Sequence, residues 1–162
     1  MDVKNSDSKI TEAIKYFREG FVSEAYLLLS DLKAEENPAA LFTLGLCHEK
    51  AGELSQAISS FEKALYLLKK VSSAPLSVQM RAKENSETYI QLAISQIADK
   101  TYLNPMDEQF CALFSKSAEY NILLALIDTY KKKGMNEQAK KLSSGLTGPV
   151  FEAYKKEMFN VQ

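Results

Sequence analysis

The apolar positions of this chain recur with a period near 3.6 almost throughout, and alternating β-branched stretches are nearly absent, so the pattern predicts helices and no sheet. Helices are expected near residues 8–19, 22–34, 38–50, 54–69, 77–99, 106–118, 120–133, 136–145 and 149–159. The four prolines agree with this reading. Pro38, Pro75, Pro105 and Pro149 each stand where a helix can begin, and a missing N–H is harmless at the first helical position. Many helices joined by short polar links predict stacked helical hairpins.

One stretch supplies a template for repetition. LFTLGLCHEKAGELSQAISSFEKAL, from Leu41 to Leu65, reads as two amphipathic helices hinged at Ala51 and Gly52. Numbered from Pro38, it places Leu41 at position 4, Leu44 at 7, Gly45 at 8, His48 at 11, Gly52 at 15, Ala57 at 20, Phe61 at 24 and Ala64 at 27. This pattern resembles a tetratricopeptide repeat, departing only in His48, where tyrosine is usual. A ruler laid from Tyr120 finds Leu123, Leu126, Ile127, Tyr130, Gly134 and Ala139 in register; Ile127 stands where a small residue is usual. From Ser6 it finds Ala13, Tyr16, Gly20, Ala25 and Leu29, with Lys9 and Glu12 departing, and from Ser86 it finds Tyr89, Leu92 and Ala93.

The resemblance implies a single domain: an all-α right-handed superhelix, an α-solenoid of helical hairpins. Its repeats would cover about 6–37, 38–71, 86–119 and 120–147, with an insertion at about 72–85 and a capping helix at about 149–159. Repetition has a physical cause, since one hairpin cannot bury its apolar face alone and several must stack.

Positions 4, 7, 8 and 11 of each first helix fall in one sector and meet the second helix of the hairpin. The opposite side should be polar if it met only water. Instead position 5 is Ile10, Phe42, Ile90 and Leu124, position 9 is Ile14, Leu46, Ile94 and Asp128, and position 12 begins with Phe17. Position 6 holds Thr11, Thr43 and Gln91. In the repeat family this second side lines a concave groove, so these residues are the expected partner-binding surface, with Thr11, Thr43 and Asp128 fixing register. Two arrangements fit the pattern. The groove is open to a partner, or the chain covers it with neighbouring helices and the C-terminal run Val150, Phe151, Tyr154, Met158 and Phe159. The family's carboxylate-gripping lysines and asparagines are absent from positions 5, 6 and 9, which favours a partner with apolar anchors.

Composition narrows the class. With 162 residues, 46% apolar and 25% charged, the chain has material for one core and is too apolar to be disordered. Without a long apolar run or a leader-like N-terminus, membrane insertion is not expected and a cytoplasmic address is. Net charge is −1, with a mildly acidic first half and a mildly basic second half, too weak a bias for nucleic acid.

Candidate chemistry is sparse. Cys47, His48 and Glu49 point about 100° apart around one helix and cannot converge on a metal, and His48 is the one histidine. Cys47 and Cys111 read as buried thiols. Gly145–Gly148 lacks the lysine of a phosphate loop and reads as a helix stop. The run Lys131–Lys133 reads either as a solvated helix end favoured by the dipole or as a contact for an acidic partner. No catalytic residue, cofactor or metal site is expected. The sequence predicts a protein or peptide partner, with a secretion-type chaperone for apolar client segments or a homodimeric scaffold as alternatives.

Overall fold

The structure, a computed structural model, describes residues 3–32, 36–71 and 87–159. Among these residues it contains nine α-helices, one 3₁₀ turn and no strand. The helices are α1 (Val3–Arg18), α2 (Val22–Asp31), α3 (Pro38–Lys50), α4 (Leu54–Val71), α5 (Glu87–Ala98), α6 (Glu108–Leu113), α7 (Ser115–Lys132), α8 (Asn136–Ser143) and α9 (Pro149–Phe159). The turn Thr101–Leu103 follows α5. The expected insertion, Pro75, and the start expected for the fifth helix lie outside the described residues.

Among the described residues three hairpins organise the fold: α1 with α2, α3 with α4, and α7 with α8. Helix α3 begins with Pro38 behind an Asn37 cap whose Oδ1 accepts the Ala40 N–H at 3.1 Å. It ends at Gly52, where φ of +80° lets the Glu53 N–H return to the His48 carbonyl at 2.8 Å. Gly134 repeats that hinge between α7 and α8, with φ of +83° and Met135 N–H on the Tyr130 carbonyl at 2.8 Å. Helix α4 carries Ala57, Ile58, Phe61, Ala64 and Leu68 on one buried stripe, and this face closes on α3.

Helix α4 next packs against α7, so the hairpin that succeeds α3–α4 in the stack is α7–α8. Helix α5 stands outside that succession and lies mainly against α9 and the 3₁₀ turn. Two expectations for this region are revised. The helix expected at 106–118 is only the six residues of α6, and the next begins at Ser115 instead of 120. Pro105 does not start a helix: the Asp107 side chain caps α6 by accepting the Phe110 N–H at 2.7 Å.

Residues 100–111 run across the first helices of the stack. Lys100, at φ +55°, ends α5 in a left-handed conformation that here is supplied without a glycine. Arg18 Nη2 then donates to the Pro105 carbonyl at 3.3 Å and Asn121 Nδ2 to Met106 Sδ at 3.4 Å. Tyr102, Met106 and Cys111 are buried in the same core as Ile10, Phe42 and Leu124.

Candidate functional site

The residues expected to line the groove fall into three groups. Ile10, Ile14, Phe17, Phe42, Thr43, Leu46, Leu124 and Asp128 are buried, several of them completely. Ile90 and Ile94 on α5 are half-buried. Thr11 and Gln91 are exposed and bond within their own helices, Thr11 Oγ1 to the Asp7 carbonyl at 3.0 Å and Gln91 Nε2 to Glu87 at 3.2 Å.

The buried group is brought together, but under the chain's own residues. The Phe42 ring packs on Phe61 with centroids 5.4 Å apart. Thr43 spends its hydroxyl on the Ala39 carbonyl at 2.8 Å. Asp128 is held by Lys100 at 3.5 Å and by Lys132 at 3.2 Å. Burial, reinforced by the Asp128 charge, pushes the Tyr102 phenol well above its ordinary range. Lys132 also bonds Glu49, tying α7 to the end of α3.

The lysine run is therefore engaged inside the molecule. Besides Lys132, Lys133 Nζ donates to Ser55 Oγ at 2.6 Å, and Lys131 donates to the Met158 carbonyl and lies 5.2 Å from the centre of the Phe159 ring. His48 is packed at the hinge, 3.4 Å from Glu53 and edge-on to Tyr26. Cys47 and Cys111 are buried, and burial raises each thiol to about 12, so neither is poised as a nucleophile. Among the described residues no three His, Cys, Asp or Glu side chains are grouped to hold a metal, and no helix is long and apolar enough to cross a membrane.

One apolar cleft opens beside this region. It lies between α5, α7 and α9, with Ala93, Ile97, Tyr102, Tyr120, Leu124 and Phe151 among its walls. Its volume of about 70 Å³ admits an aliphatic side chain but not a whole helix. Tyr120 and Phe151 meet at 5.0 Å and form one end. Leu92, on the same helix as Ala93, is 54% exposed.

Phe151, from the C-terminal run expected as a possible cover, does line the cleft; the exposure of Leu92, next to Ala93 along the chain, was not foreseen. The repeat ruler put Leu92 at position 7, which faces a second helix. Because α6 does not pack on α5 as α4 packs on α3, that face is left in solvent. The signal was the short, proline-broken segment after α5, which cannot supply a full partner helix.

Residues 38–70 match the family model described as tetratricopeptide repeat, the span that builds α3 and almost all of α4. No curated protein and no solved structure matches the chain.

Proposed function

We propose that this chain, whose residues 38–70 match the tetratricopeptide repeat, is a non-catalytic protein–protein interaction module that binds a peptide or amphipathic segment through apolar anchors. The partner seats along α5, with one aliphatic side chain entering the cleft between Ile97, Leu124 and Phe151. The observation that carries this reading is the incomplete cover of α5 by the described residues: Ile90 and Ile94 are half-buried, Leu92 is mostly in solvent, and Ala93 and Ile97 of the same helix line an apolar cleft. A helix apolar on more than one side ordinarily has a neighbour there. Covering a leucine contributes on the order of 2 kcal/mol before association costs, so a few such anchors suit a moderate, reversible contact.

Ile10 and Ile14 of α1 and Phe42 and Leu46 of α3 are buried and offer such a partner little surface. The contact therefore falls on Ile90, Leu92 and Ile94 and not on Phe42 and Leu46.

Selection of a phage-displayed peptide library on the full chain tests the proposal. Peptides with spaced apolar residues should be enriched, and their binding should be lost in Leu92→Glu but kept in Leu27→Glu, which alters a comparably exposed leucine on α2. Equal binding to wild type and Leu92→Glu would overturn it.

A further inference from the structure

A second surface, away from the α5 cleft, has a different chemistry. The C-terminal end of α4, the outer side of α7 and the end of α8 enclose a groove of about 660 Å³. Its apolar floor includes Leu123 and Leu142, both half-buried. Lys69, Lys116 and Lys141 stand along it from three different helices, and all three are exposed. Glu119 is the one carboxylate among its walls. It is 9% exposed and lies 3.9 Å from Lys69 and 3.1 Å from Lys116. Lys141 has no carboxylate partner among the described residues. The walls thus carry an excess of positive charge that the described residues do not neutralise.

An aromatic ring extends the same face. Glu62 of α4 accepts a 2.6 Å bond from the Tyr130 hydroxyl, and Lys69 of α4 reaches Glu119, so positions 62 and 69 both face α7. Tyr66 lies four residues after one and three before the other, which places it on that side of α4. It is 66% exposed, the largest value among the exposed large apolar side chains described.

We propose that this groove docks an acidic peptide segment of a partner protein, its carboxylates answering Lys69, Lys116 and Lys141 and its apolar side chains resting on Leu123, Leu142 and Tyr66. Charge complementarity selects the occupant. A nucleic acid strand fits less well, because the buried Glu119 carboxylate sits amid the lysines and the positive run is too short to track a phosphate backbone. A wholly apolar segment would leave Lys141 unanswered.

Fluorescence anisotropy on the full chain tests this with three fluorescein-labelled probes: a synthetic peptide alternating glutamate with leucine and phenylalanine, its glutamine counterpart, and an oligothymidine strand. The glutamate peptide should bind and weaken with added salt, while the glutamine peptide binds about tenfold more weakly. Lys116→Gln and Lys141→Glu should each weaken the glutamate peptide about fivefold with the helical signal unchanged, and Lys9→Glu on α1 should leave it unaltered. No binding of the glutamate peptide, equal binding of the glutamine peptide or the oligothymidine, or an equal effect of Lys9→Glu would overturn the proposal.

Discussion

Gly45 of α3 and Phe61 of α4 are matched in shape: a Cβ built on Gly45 would lie 2.5 Å from Cε1 of the Phe61 ring. The ring fills the space that the missing side chain leaves, and the two helices approach as closely as they do because of it. Phe61 is completely buried and also meets Phe42, so it has little room to retreat. Gly45→Ala is therefore expected to destabilise the fold by about 1–3 kcal/mol despite alanine's higher helix propensity. Chemical denaturation of the two proteins checks this, and an unchanged or raised midpoint would show that the ring moves aside freely.

Phe42 separates a binding role from a packing role. It is completely buried against Phe61, so Phe42→Ala should cost about 3–5 kcal/mol and Phe42→Glu should unfold the domain. Circular dichroism and solubility report the result. A folded Phe42→Glu protein would mean that this side chain faces an accessible groove.

Much of the architecture was legible because it is local. Pro38 at the start of α3, Gly52 and Gly134 at the hinges, and the apolar spacing of α4 all act within one or two turns of chain, and each occurs where the sequence placed it. The match over residues 38–70 falls on the segment where these signals are densest. What lies on the inner side of the first helices was less legible. Ile10, Phe42 and Leu124 announce that something covers them, but their pattern is the same whether the cover is a partner or the chain itself. Tyr102, Met106 and Cys111, which share the core with them, come from a 3₁₀ turn, a loop and a six-residue helix that follow a left-handed lysine instead of a glycine. Long-range bonds such as Arg18 to Pro105 have no sequence signature.

Lys132 joins α7 to α3 through Glu49 and holds Asp128 on its own helix. Burial works to lower its pKa, but the bond to Glu49 and the charge of Asp128 outweigh this, and the net shift is upward. A raised lysine pKa means that its stabilising contribution is present below the ordinary lysine range and is lost as pH rises through the folded-state value. The stability difference between wild type and Lys132→Met should therefore stay constant through neutral pH and shrink only in strongly alkaline solution. Denaturation curves across pH check the sign; a difference that grew with rising pH would contradict it.

Contact between α5 and a partner protein is read most directly by site-specific crosslinking in the source cell. With photoreactive benzoylphenylalanine at position 92 or at position 27, both largely exposed leucines, irradiation is predicted to give a protein adduct from position 92 and none of that mass from position 27. An adduct from position 27 alone, or none from position 92, would contradict it.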